Sequence, residues 1–131
     1  MALSKVQKKE MLSRLQDSIR EANSLVFTDF SGSEVKSLQA LRGQLRAEGA
    51  QYKVVKKTLF TKALNSLEID ISLEDLPGNL GVIFADDPVA GAKISVDFAK
   101  KAKKDTFKVI GGVLEGGFLT ETQVTSLAKL P

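Results

Sequence analysis

An α+β fold is predicted by three features of the 131-residue sequence. Short apolar runs recur at 25–30, 51–55, 80–85 and 106–113, rich in Val, Ile and Phe and flanked by turn-forming residues. Between them lie stretches whose apolar residues keep helical spacing. From residue 25 the order is β-α-β, a helical insertion, then β-α-β. Two split β-α-β halves of this kind predict a ferredoxin-like, four-stranded antiparallel sheet with helices on one face. A doubly wound parallel sheet shares the same alternation and is the alternative. The length suits one domain with a single core, divided as an N-terminal helix at 1–23, an α+β core at 24–118 and the start of a C-terminal helical segment at 119–131.

The first helix runs from Ser4 to about Asn23, with Val6, Leu12, Leu15, Ile19 and Ala22 on one face and Ser4-Lys5-Val6-Gln7 as a capping box. Leu25–Phe30 is a strand. Ser31-Gly32-Ser33-Glu34 reads as a second capping box, opening a helix with Val35, Leu38, Leu41 and Leu45 as its core stripe and Gly49 as its stop. Gln51–Val55 is a strand, and Thr58–Leu67 carries Leu59, Phe60, Ala63 and Leu64 at helical intervals. Glu68–Leu76 fits either an alternating strand or one helical turn, and Pro77-Gly78-Asn79 marks a turn. After the strand Leu80–Ala85, Asp87-Pro88 is an N-cap followed by proline at the first helical position, starting a helix to about Lys101. Thr106–Val113 is the fourth strand, closed by Gly111-Gly112. Thr120-Glu121-Thr122-Gln123 caps a terminal helix carrying Val124 and Leu127.

The chain has no Cys, no His and no Trp. That removes disulfides, thiolate metal sites, the Cys nucleophile and the commonest general base, and leaves zinc only carboxylates. No phosphate-loop or dinucleotide glycine motif is present. Asp86-Asp87 reads as helix capping, Glu74-Asp75 likewise, and Gly111-Gly112 and Gly116-Gly117 as close backbone approaches. No catalysis, cofactor or metal is expected. Mean hydropathy is −0.04, and no apolar run approaches the roughly 20 residues of a membrane span, so no membrane is expected and the cytoplasm is.

The net charge of +3 is unevenly spread. Residues 1–20 carry net +3, 21–57 net +2, 58–92 net −5, 93–108 net +4 and 109–131 net −1. Two basic zones flank an acidic middle, which suits a polyanion on one face. Lys53 falls on a strand, facing away from Tyr52 and Val54, where it can stay solvated. Lys56, Lys57 and Thr58 lie in the turn entering a helix. A helix start offers unpaired N–H groups and a partial positive charge, so flanking lysines there suit phosphate, with a solvated edge as the other reading. Lys100-Lys101-Ala102-Lys103-Lys104 complements a helix C-terminus, with an acidic surface as the alternative role. Lys5, Lys8, Lys9 and Arg14 give the first helix a semi-basic stripe. Aromatics make up 6% of the chain and fall mostly at core positions, so backbone and shape contacts are expected to dominate any RNA binding.

Around Tyr52-Lys53-Val54-Val55-Lys56-Lys57-Thr58-Leu59 the sequence resembles the large-subunit ribosomal stalk-base proteins, the bacterial L-ten family. Phe30-Ser31-Gly32, Asp86-Asp87-Pro88-Val89-Ala90, Gly111-Gly112-Val113-Leu114-Glu115-Gly116 and Leu127-Ala128-Lys129-Leu130-Pro131 keep the family's order and spacing across the chain. The resemblance implies a non-enzymatic ribosomal component whose N-terminal domain holds large-subunit rRNA at the stalk base, beside ribosomal protein eleven. A long C-terminal helix in such proteins carries dimers of the acidic stalk protein, which recruit translational GTPases, and the stalk complex can repress its own messenger. By position, rRNA contact is expected at Lys53, Lys56, Lys57 and Thr58, with Ser31 and Gly32 as additions. Lys5, Lys8 and Lys9 join the set on charge alone. Lys57 stands where the family usually has Asn, replacing a two-way amide by a donor-only cation. Ser33 stands where a Leu is usual. The helix for acidic dimers is expected to begin near Pro131, so dimer binding is not expected of these residues. The alternative function is a protein-interaction or regulatory ligand-binding domain of the same fold, acting through the acidic middle segment or the sheet.

Overall fold

The computed structural model describes residues 5–32, 34–69, 79–102, 106–114 and 117–130. In chain order the elements are α1 (Lys5–Glu21), β1 (Ser24–Asp29), α2 (Val35–Ala47), β2 (Gln51–Val54), α3 (Lys57–Ser66), β3 (Leu80–Ala85), α4 (Pro88–Lys101), β4 (Lys108–Leu114), β5 (Gly117–Thr120) and α5 (Glu121–Ala128). The strands form one sheet in the order β2-β3-β1-β4-β5, and every neighbouring pair is antiparallel. The first four strands follow the order expected of two interleaved β-α-β halves, which selects the ferredoxin-like arrangement over the parallel alternative.

The sheet departs from expectation in having a fifth strand, because β5 folds back on β4 from Gly111↔Thr120 to Leu114↔Gly117. That strand takes up residues 119 and 120, which were expected to begin a helical segment. Nor does Gly111-Gly112 close β4, which runs through both glycines to Leu114. The register shift against β1 falls between Phe27 and Thr28, as the partner changes from Gly111 to Val109. At Gly112 a Cβ would stand 2.4 Å from the Leu25 carbonyl oxygen, so this is a close backbone approach.

Helices cover both faces of the sheet, not one. On one side Leu41 and Leu45 of α2, Ala92 and Val96 of α4 and Val124 of α5 pack on Val26, Tyr52, Ile83 and Val109. On the other, Ile19 of α1 and Phe60, Ala63 and Leu64 of α3 pack on Leu25, Phe27, Val82 and Phe84. Two of the three helices outside the split β-α-β plan, α1 and α3, thus form a layer of their own. This explains why β1 and β3 are buried almost throughout instead of alternating between buried and exposed.

Local chemistry sets the helix ends. Asp87 accepts from the amides of Val89 and Ala90 at 3.0 and 3.4 Å. Thr120 and Gln123 cap each other's backbone amides as a capping box. Gly49, at φ +75°, ends α2: its amide donates to Arg46 and the next, Ala50, to Leu45. The expected box at Ser31–Glu34 does not form. The N-cap of α2 is Glu34, with no side-chain cap bond, and the Ser31 hydroxyl instead donates to Asp29 Oδ1 at 2.5 Å. The Ser4 cap, most of the acidic stretch with the Pro77-Gly78 turn, and Lys103 and Lys104 lie outside the described residues.

Candidate nucleic-acid interface

The outer strand β2 ends where the Val55 amide donates to the Leu80 carbonyl at 3.2 Å, and the chain turns at once into α3. Phe60 anchors that helix on the sheet, edge-on to Phe27 and Phe84 with ring centroids 6.0 and 6.1 Å apart. Lys56 occupies the N-cap position with extended backbone and makes no side-chain cap bond. An ammonium group cannot accept a hydrogen bond. The start of α3 therefore lacks a side-chain cap from Lys56, and Lys56 and Lys57 stand at the positive end of the helix dipole.

Packed along α3, α1 is tied to it by the Gln16 side-chain amide donating to Ser66 Oγ at 2.7 Å. The two helices and the end of β2 enclose a groove of about 860 Å³. It is lined by Met11, Arg14 and Leu15 of α1, by Lys53 to Leu59, and by Phe30, Asn79 and Leu80. Among these described residues none is acidic, while four are cationic. An anionic ligand with some apolar surface fits this lining, and a cationic one does not.

Four of the nine sequence-predicted site residues come together here: Lys53, Lys56, Lys57 and Thr58. Lys53 is not the solvated strand lysine expected. It is partly buried, its ammonium donates to Ser18 Oγ at 3.0 Å, and it lies 5.3 Å from the Phe84 ring centroid. The cause is α1, which crosses the strand face that a two-layer fold would leave open. Lys56 and Thr58 are exposed.

Ser31 stands one contact away from the groove. Its hydroxyl accepts from the Asn79 amide at 3.0 Å, and Asp29 Oδ1 accepts from the Ser31 and Asn79 amides at 3.0 and 3.2 Å. Burial pushes the Asp29 carboxyl up, but the Ser31 hydroxyl, the two amides and the nearby Lys108 charge outweigh it and hold it below the usual value. Gly32 lies apart, lining a smaller cleft of about 300 Å³ with Lys101 and Thr106. Lys5, Lys8 and Lys9 are exposed on the first turns of α1 and do not line the groove. Arg14, missed as a site residue, does line it. Its signal was the helical spacing that sets it beside Met11 and Leu15.

Comparison with known proteins bears on the chain as a whole. A family model described as Ribosomal protein L10 matches residues 3–100. The large ribosomal subunit protein uL10 of Fusobacterium nucleatum is 42% identical over 129 residues, covering 95% of this chain and 76% of its own length. That of Phenylobacterium zucineum is 36% identical over 129 residues, covering 98% and 74%. The uL10 of Oleidesulfovibrio alaskensis is 39% identical over 130 residues, again covering 98% and 74%.

Proposed function

The chain belongs to the ribosomal protein L10 family, structural and non-enzymatic constituents of the large ribosomal subunit, and from that membership we propose that its α1–β2–α3 groove binds large-subunit rRNA. The observation that carries the reading is the convergence of Arg14, Lys53, Lys56, Lys57 and Thr58 on one groove, with no acidic side chain among its described lining residues. Lys56 and Lys57 hold phosphates at the positive end of the α3 dipole. Thr58 adds a hydroxyl to the same oxygens. Lys53 acts differently: it braces α1 on β2 and adds positive potential to the groove floor.

In this reading residues 1–131 are one rRNA-binding domain at the stalk base in the cytoplasm, beside ribosomal protein eleven. The segment from 119 leads toward a helix for acidic stalk dimers, through which translational GTPases are recruited. No described helix is long and apolar enough to cross a membrane.

The test is binding of the chain to a stalk-base rRNA fragment and to a same-length control RNA over a salt series, with and without ribosomal protein eleven. The fragment is expected to bind in preference. K56A/K57A is expected to weaken it and to reduce the slope of log K against log salt by about 1.4–1.8, the value for two phosphate contacts. Equal weak binding to both RNAs, with an unchanged slope in the double variant, would remove the assignment and favour the protein-interaction alternative.

A further inference from the structure

A second cleft, of about 780 Å³, lies on the other side of β2 and is lined by Arg42 and Arg46 of α2, the Gly49 turn and β2 itself. It shares Lys53 and Val54 with the first groove, so the two meet across the strand. Its described lining also contains no acidic side chain. Arg42 and Arg46 are exposed, one helical turn apart on the same face of α2. The Arg42 guanidinium lies 5.8 Å from the Tyr52 ring centroid, which orients it toward β2.

β2 is an edge strand, paired only with β3. The bond from Val55 to Leu80 fixes the alternation: Gln51 and Lys53 face β3 with their backbone groups, and Tyr52 and Val54 present theirs outward. The edge therefore offers backbone donors flanked by cations on both sides.

We propose that Arg42 and Arg46 form a second phosphate-binding site, and that the RNA backbone crosses the outer edge of β2 from the Lys56–Lys57 groove to this arginine pair. The inference rests on the rRNA reading of the first groove and extends it around the sheet edge. Continuity of positive charge through Lys53 favours one polyanion over two separate ligands. A guanidinium suits phosphate through paired N–H donors. An acidic peptide adding a strand to β2 is the competing occupant.

The test compares R42Q/R46Q, K56A/K57A and R42K/R46K in the full chain, on the stalk-base rRNA fragment over a salt series and on polyglutamate. R42Q/R46Q is expected to lower the salt slope by about 1.4–1.8, as two lost phosphate contacts require. R42K/R46K is expected to keep that slope, which separates lost charge from lost fold. An unchanged slope in R42Q/R46Q beside a reduced one in K56A/K57A would overturn the arginine site and leave the first groove standing. A reduced slope in R42Q/R46Q alone would keep the arginine site and overturn the lysine groove. Loss of polyglutamate binding in R42Q/R46Q with RNA binding intact would overturn the RNA track and give the edge to a peptide partner.

Discussion

Asp29 ties Ser31 to the groove residue Asn79 at a single carboxylate. One oxygen collects the Ser31 hydroxyl and the Ser31 and Asn79 amides, and Asn79 lines the groove. Burial raises the acid's pKa, while these donors and Lys108 lower it further than burial raises it, so the folded value lies below 3.8. A depressed folded pKa means the ionised carboxylate adds stability above the unfolded value and loses it as pH falls through the folded one. D29N is therefore expected to melt below the parent chain at neutral pH, the gap closing in the acid range below 3.8. Thermal unfolding of both proteins from neutral to strongly acidic pH measures this. A gap that stays constant to the acid limit would show that the carboxylate's charge contributes nothing. Tyr52 is less accessible to such a test: burial pushes its phenol up, against the Thr28 hydroxyl and Arg42.

The elements show where local chemistry suffices and where it does not. Two residues beyond the end of α3 stands Glu68, a non-glycine residue at φ +65°, with Glu68 and Ile69 amides returning to Asn65 and Leu64. That motif prefers glycine, since a Cβ in the left-handed region costs about 1–2 kcal/mol. E68G is expected to raise unfolding free energy by about 1 kcal/mol in urea titration without changing RNA affinity, because Glu68 does not line the groove. No gain in stability would mean that the Glu68 side chain compensates its backbone strain. The caps at Asp87 and Thr120 were legible in the sequence because donor and acceptor sit within three residues of each other. Ser31 was not, because the Asp29 carboxylate two residues upstream competes for its hydroxyl. β5 escaped notice as four residues, mostly exposed, with no apolar alternation. Lys56, Lys57 and Thr58 were readable as a contiguous run, whereas Arg14 reaches the same groove only through the packing of α1 beside α3. The packing of Lys53 depends on Ser18, thirty-five positions earlier in the chain.

At the scale of the whole molecule, the sheet order separates the two ends of the fold. β2, with a cationic cleft on either side, is one edge and β5 is the other, four strand steps away. At about 4.8 Å per step the two edges stand roughly 19 Å apart. α5 follows β5 directly and packs on α4 and β4, so the end of the described chain leaves from the far side. An RNA held at β2 therefore leaves β5 and α5 accessible. Hydrogen exchange with and without the stalk-base rRNA fragment tests the arrangement directly. RNA is expected to slow exchange at Gln51–Val54, the first turn of α3 and the last turn of α2, while Gly117–Ala128 exchanges as in the free protein. Protection of β5 and α5 with β2 exchanging as in the free protein would place the RNA on the opposite edge, and neither cleft beside β2 would then be the primary site.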